Sequence, residues 1–327
     1  MTYRQADPFS MQLEATEGCN LRCGFCGIRG IREKGTTGDL SGPYNFMTVD
    51  TADRVARQVA AAKWGCRFEW AMHGEPTMNP HLPDLVAAFR SRLPKASIMV
   101  TTNGIPMLEG AWGRDSLRGA LMELFSAGAN TIAVDDYAPH RVAPTLRGTE
   151  LPVPVLEYPA DRRGNPHVRY HGQRVVIVED IVQADDGTHS TLNNHAGSAA
   201  PPTDAMITKV CSLPFRELSV RWDGAVALCC NDWRGQYQLG HAVDDLVGTW
   251  HSRAAYAARR LLLHEGRADV VPCNGCDYRP TRPGLLPQPD GRGRDHIGPV
   301  TDSDRLVARM AASGPTLAPV VLRRWEK

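Results

Sequence analysis

Glu17-Gly18-Cys19-Asn20-Leu21-Arg22-Cys23-Gly24-Phe25-Cys26 is the stretch that decides how the rest of this chain is read. Cys19, Cys23 and Cys26 follow the spacing C-x3-C-x2-C. Iron–sulfur clusters are held by cysteine thiolates, as a rule one per iron. Three thiolates can hold a 4Fe–4S cube and leave one iron open, and an open coordination position is where a catalytic metal does its chemistry. Zinc is the competing reading, but structural zinc wants four ligands, and the next cysteine along the chain is Cys66. A disulfide framework belongs to short secreted chains, whereas this chain has 327 residues, nine cysteines and a polar N-terminal stretch, Met1 to Ser10.

A chain of 327 residues suits one large domain with a smaller one. The formal net charge of +1 provides no broad basic field for a nucleic-acid scaffold, although a nucleotide substrate stays open. No stretch reaches the roughly 18 to 20 apolar residues that span a bilayer, and Met1 to Ser10 lacks the apolar core of a signal peptide. The expected setting is therefore a reducing cytoplasm without membrane insertion.

Working outward from the cysteines, residues 11 to about 135 alternate between strand-like and helix-like segments, the pattern of a parallel α/β sheet. Strands are predicted at Met11–Ala15, Phe68–Met72, Ser97–Thr101 and Thr131–Val134. Helices are predicted at Thr51–Lys63, capped by Thr48 or Asp50, and at His81–Leu93 and Ser116–Ala127. Gly35–Tyr44 and His189–Asp204 read as loops, and Val153–Leu156 and Arg174–Val178 as less regular strands. His73-Gly74-Glu75-Pro76 and Thr102-Asn103-Gly104 then fall at the C-terminal ends of the second and third strands, where βα barrels keep their chemistry.

Taken together, the cysteine motif, Phe25, Gly74-Glu75-Pro76 and Thr101-Thr102-Asn103-Gly104 resemble the radical S-adenosylmethionine (SAM) enzymes. The resemblance implies a partial (β/α)6 TIM-like barrel within residues 1–205. It also implies that Cys19, Cys23 and Cys26 hold a SAM-binding 4Fe–4S cluster. Gly74, Glu75 and Pro76 would meet the amino group of SAM, Thr102 and Asn103 its ribose, and Phe25 the neighbourhood of its adenine. Such an enzyme needs an electron donor such as flavodoxin or ferredoxin.

Four more cysteines follow. Cys211, Gly224 and Cys229 are spaced C-x12-G-x4-C, and Cys273-Asn274-Gly275-Cys276 adds a C-x2-C pair. Four thiolates suffice for zinc or for a closed 4Fe–4S cluster. Leu218–Arg221 and Ala225–Leu228 flank an Asp-Gly turn and predict a hairpin, and Trp250–Glu265 predicts a helix. This part, residues 206–280, is similar to the twitch and SPASM extensions of radical SAM enzymes, a β-hairpin plus helix holding auxiliary clusters. With no cysteine after Cys276, the one-cluster twitch form is the better match. Residues 281–327 form an extension of unassigned role, in which Thr301–Ala312 has helical periodicity with Leu306, Val307 and Met310 apolar.

A cluster closed by four thiolates leaves electron transfer as its natural task. The cysteine spacings are similar to those of twitch-bearing aminocyclitol dehydrogenases. The resemblance therefore implies hydrogen abstraction from a small hydroxylated substrate and a two-electron oxidation, with the auxiliary cluster as acceptor. Epimerisation, with Cys230 returning a hydrogen atom, and modification of a peptide or nucleoside are the alternatives. Outside enzymes, the alternative is a structural or electron-transfer iron–sulfur protein. Asp135 and Arg169 are candidate substrate contacts, and His73, Asp136, Tyr137 and Glu157 also fall near predicted strand ends. Cys66, at the start of the second strand, reads as core.

Overall fold

The computed structural model describes residues 6–23, 25–28, 44–137, 140–158, 165–179, 193–199, 207, 210–279 and 299–312. The expected loop Gly35–Tyr44 (apart from Tyr44), most of His189–Asp204 and most of the tail 281–327 lie outside the described residues. By internal contacts the chain divides into two units, one from Met11–Arg22 and Asp39–Leu192, the other from Met1–Ser10, Cys23–Gly38 and Asn193–Lys327. The division differs from the expected break after residue 205. It falls at Asn193, groups the extension with the 206–280 region, and passes through the cysteine motif after Arg22.

The first unit is a mixed α/β structure on a largely parallel sheet. In chain order its strands are β1 (Ser10–Leu13), β2 (Thr16–Glu17), β3 (Asn45–Phe46), β4 (Arg67–Trp70), β5 (Ile98–Thr102), β6 (Thr131–Asp136), β7 (Val155–Tyr158) and β8 (Arg174–Glu179). The main sheet runs β1-β4-β5-β6-β8-β7, while β2 and β3 form a separate antiparallel pair. The pairs β4–β5, β5–β6, β6–β8 and β7–β8 are all parallel. β8 lies inside β7 although it follows β7 in the chain. The residues explain this: Arg174 to Val178 are buried throughout, as a central strand requires. Val155–Tyr158 follows Pro152 and Pro154 and stays partly open, which suits an edge.

The three long helices lie close to their predicted positions. Helix α1 (Val49–Ala62) is capped by the Thr48 hydroxyl, which accepts from Thr51 N at 3.1 Å. It buries Ala52, Val55, Ala56 and Val59, an i, i+3, i+4, i+7 stripe. Helix α2 (Leu82–Arg92) buries Leu82, Leu85, Val86 and Phe89, and α3 (Leu117–Ala127) is capped by Ser116. Phe89 meets Phe68 and Trp70 edge-on at centroid distances of 5.0 and 5.3 Å. That contact fixes which face of the sheet the helix covers. Phe68 and Trp70 point to it, so by strand alternation Glu69, and in register Met99, Thr131 and Arg174, take the other face. Asp135 shares that face with Thr131 and Ala133.

The second unit holds β9 (Glu217–Val220), β10 (Ala225–Ala227) and β11 (Gln238–His241), paired antiparallel in that order. The β9–β10 hairpin turns at Arg221–Gly224, where Gly224 has φ +92° and a Cβ would lie 2.6 Å from His241 Cε1. The predicted helix Trp250–Glu265 is present as α5 (Arg253–His264), capped by Ser252, and a helix the sequence reading did not predict, α4 (Ala242–Trp250), ends just ahead of it at His251. Ala254, Ala258, Leu261 and Leu262 are fully buried as expected, and Tyr237 donates its hydroxyl to Ala254 O at 2.9 Å. Helix α6 (Asp302–Ala311) packs on α5, but through Asp304, Ala308 and Ala311. Of the three apolar residues singled out in the sequence, Leu306 stays 48% exposed while Val307 and Met310 are partly buried. Asp304 is drawn in by the Thr301 capping box and by Arg260 at 2.9 Å.

Candidate active site and cluster-binding residues

In the first unit the C-terminal strand ends gather around one buried carboxylate, Glu75. Its Oε1 accepts from Thr77 N (2.9 Å), Thr77 Oγ1 (2.6 Å) and Thr102 Oγ1 (2.6 Å), and its Oε2 from Asn103 N (2.7 Å). Burial raises the Glu75 pKa, and these donors oppose the rise. The side chain thus braces the turn after β4 against the turn after β5. Pro76 opens a short 3₁₀ turn, Pro76–Met78, with Glu75 as its cap. The Glu75 N–H is already used, donating to Gly18 O at 2.8 Å.

Gly74 is demanded by the chain itself. It has φ +76°, and a Cβ there would lie 2.3 Å from Gly18 O and 2.5 Å from Thr16 O. The β4 end can approach the backbone leading into the cysteines only without a side chain. Asn103 completes the connection: its Nδ2 donates to Asn20 Oδ1 at 2.9 Å and lies 3.8 Å from Cys19 Sγ. Leu21 N also donates to that sulfur, at 3.3 Å. N–H groups aimed at a cysteine sulfur stabilise the thiolate that a cluster needs. Asn20 was missed in the sequence because nothing in Cys-Asn-Leu signals a partner so far along the chain.

Asp135 and His73 also belong to this unit. Asp135 ends β6 with part of its surface open, and its pKa is pushed up to about 7, first by desolvation and then by the charge of Glu75. His73 is buried with Nδ1 2.6 Å from Glu14 Oε1. Asp136 has a structural task, its Oδ2 accepting from Val142 N and Ala143 N at 3.1 and 2.7 Å. Glu157 is exposed and paired with Arg147. Arg169 requires a correction. It lines a pocket with Cys66 and Ser97, at the N-terminal strand ends, because it precedes β8 instead of following it. Cys66 is buried at the foot of β4. Tyr137 follows β6 and is half-buried.

In the second unit Cys23 and Cys26 are half-buried, and Cys26 N donates to Cys23 O at 3.1 Å, closing the turn that contains Phe25. The same unit brings Cys211, Cys229, Cys273 and Cys276 together. All four are buried and within electrostatic reach of one another. Burial pushes Cys211 up to about 11 and Cys229 and Cys273 well above a free thiol. Four such groups in one apolar spot are unfavourable as thiolates until a metal centre binds them. None of the nine cysteines is joined in a disulfide. Among the described residues no three His, Cys, Asp or Glu side chains converge closely enough to hold a single metal ion. A cluster, which spreads its ligands over several irons, fits the all-thiol donor set.

Two charged residues not singled out in the sequence shape this centre. Arg267 is buried and donates to Cys276 O at 3.1 Å and Tyr278 O at 2.9 Å, and its charge favours the neighbouring thiolates. Asp232 is fully buried and accepts from Gln236 N and Tyr237 N, both at 2.8 Å, holding the loop after Cys229. Cys230 packs against Cys211, Leu213 and Cys229, as does Tyr278.

Residues 13–135 match the family described as radical SAM superfamily, and residues 211–277 the SPASM family, described as an iron-sulfur cluster-binding domain. The chain carries a radical SAM domain followed by a SPASM-type iron-sulfur cluster-binding domain. Its two matched regions contain every cysteine assigned above to a cluster. A radical SAM domain implies a 4Fe–4S cluster with SAM, and the SPASM region implies auxiliary iron–sulfur binding. Similar curated proteins include the GTP 3',8-cyclases of Pectobacterium atrosepticum, 32% identical over 96 residues, and Edwardsiella ictaluri, 33% identical over 106 residues. These matches span 29% and 32% of this chain and only 27% and 30% of those proteins. A solved structure of BtrN in complex with AdoMet and 2-DOIA has TM-score 0.60 at 18% identity, covering 84% of this chain and 95% of that one. BtrN in an open conformation gives TM-score 0.53 at 16% identity, covering 83% and 92%. Both likenesses bear on the fold. Among the described residues no helix is long and apolar enough to cross a membrane.

Proposed function

We propose that this radical SAM enzyme is an oxidoreductase that dehydrogenates a small hydroxylated molecule, with its auxiliary cluster as one-electron acceptor. The observation that carries the reading is the closed donor set: Cys211, Cys229, Cys273 and Cys276 supply one thiolate per iron and leave none open for substrate. Electron uptake is the task that remains for such a centre. When bound, the first cluster with SAM supplies a 5'-deoxyadenosyl radical. That radical would take a hydrogen atom from the carbinol carbon; Asp135 would accept the hydroxyl proton, and the cluster held by Cys211, Cys229, Cys273 and Cys276 would take the remaining electron as C=O forms.

Asp135 suits the proton step because a carboxyl raised to about 7 exchanges a proton near neutral pH. In this reading Gly74, Glu75 and Pro76, with Thr102 and Asn103, are the SAM contacts of the first unit, and Phe25 is assigned to SAM through the cysteine motif alone. The similarly folded BtrN was solved with AdoMet and 2-DOIA, which favours a small molecule over a peptide here. Flavodoxin or ferredoxin in a reducing cytoplasm is the electron source that fits a chain with nine cysteines and no disulfide. Cys230 packs among the auxiliary thiols, and that packing favours a structural role for it over hydrogen return in epimerisation.

The test is anaerobic reconstitution followed by SAM, dithionite and a panel of carbon-deuterated polyols and aminocyclitols. Deuterium in 5'-deoxyadenosine, with a product lighter by a pair of hydrogens, supports dehydrogenation. Solvent hydrogen entering an unoxidised product would establish epimerisation in its place.

A further inference from the structure

Asn194 to Ser198 lies outside the radical SAM match and ahead of the SPASM match, yet its geometry is that of a built part. His195, Ala196 and Gly197 have φ of +45°, +50° and +84° in succession. For the two residues with a Cβ, the left-handed region costs about 1–2 kcal/mol each. Such a backbone persists where its surroundings hold it. Here the hold is Asn194, whose Nδ2 donates to Gly275 O at 2.8 Å and whose N donates to Asp277 Oδ1 at 2.7 Å. Asp277 N returns a bond to Asn194 Oδ1 at 3.3 Å. Both partners flank Cys276. His195 adds a stacking contact with Trp233, 4.7 Å between centroids and 12° from parallel.

The N–H groups of this strap can be accounted for one by one. Those of Asn194 and His195 go to Asp277 and to Asn193 Oδ1, and those of Gly197, Ser198 and Ala199 close the strap's own turns. The backbone N–H groups of Ala196 and Tyr278 both favour the Cys276 thiolate, which places the remaining strap donor beside that sulfur. The strap's strained conformation therefore delivers one backbone donor to one auxiliary ligand.

We propose that Asn194–Ser198 is part of the auxiliary centre, holding the Ala196 N–H on Cys276 and so keeping that cluster's reduction potential high enough to accept an electron. The physical basis is that a reduced cluster carries more negative charge on its sulfurs, so an N–H dipole aimed at one stabilises the reduced state. The inference rests on the auxiliary cluster of the proposed function. Asn194, and through it Ala196, is a positioning residue.

The experiment is an EPR-monitored redox titration of the reconstituted full-length chain, wild type against Asn194→Ala. The expected result is an auxiliary midpoint potential shifted to more negative values, with the first cluster's potential unchanged. An unshifted auxiliary potential at full iron content overturns the proposal. Because Asn194→Ala can fail to assemble the centre, wild-type protein carrying nitrogen-labelled alanine gives a second readout. A labelled-nitrogen coupling to the reduced auxiliary cluster is expected from Ala196, and its absence overturns the proposal. Wild-type iron near four per chain instead of about eight would mean that the auxiliary centre itself was misread, a failure separate from that of the strap.

Discussion

Gly74 and Asp135 show how much a single residue can carry here. With φ +76° and Gly18 O 2.3 Å from the position of a Cβ, Gly74→Ala forces apart the β4 end and the backbone leading to Cys19. We expect loss of SAM cleavage and of the first cluster's iron, with the auxiliary iron retained; anaerobic iron counting and 5'-deoxyadenosine assay check it. Asp135 has a folded-state pKa above its unfolded value, so ionising it opposes folding. The penalty sets in as pH rises past about 4 and is complete above about 7. Asp135→Asn should therefore raise Tm more at alkaline than at acid pH, the underlying stabilisation being no more than about 3 kcal/mol because the side chain is partly open. Substrate turnover should fall while SAM cleavage without substrate persists. A pH series of melting curves, with turnover at each pH, decides both. The sequence pointed to Gly74 and Asp135 by their places after strands. It said nothing of Glu75 as a brace, because Thr77, Thr102 and Asn103 meet it only once two turns are folded together.

At the scale of elements, periodicity located the helices and the patterning of short strands did not fix their order. The stripe of α1 and the buried Ala254, Ala258, Leu261 and Leu262 of α5 follow from spacing alone. The position of β8 between β6 and β7 does not, since neighbouring strands in the chain usually neighbour in space. Burial decided it, giving the central place to the more apolar strand. In α6 the buried face includes Asp304, because the capping box and Arg260 satisfy its carboxylate. Thr301→Ala removes one side of that box and should cost about 0.5–2 kcal/mol. Differential scanning calorimetry should show a lower Tm with SAM cleavage unchanged; an unaltered Tm would mean that α6 adds nothing to the stability of its unit.

For the whole molecule, the two cysteine sets predict separable losses. Cys273→Ala should take iron from about eight to about four per chain and leave SAM cleavage in place. Formation of oxidised product should stop, because the electron left on the substrate has no acceptor. Retention of oxidation in that variant would remove the auxiliary centre from the reaction. What the sequence by itself determined is the metal chemistry: C-x3-C-x2-C, the Gly-Glu-Pro turn and the paired C-terminal cysteines are local spacings, and thiol chemistry follows from residue type. The folded chain alone decided what surrounds those ligands. Glu75 between two turns, Arg267 beside Cys211, Cys273 and Cys276, Arg169 at the strand feet and Asn194 on the Cys276 loop each depend on contacts made only in the folded chain. Such contacts are chosen by burial and by the need to pair every buried polar group, and neither leaves a local mark in the sequence.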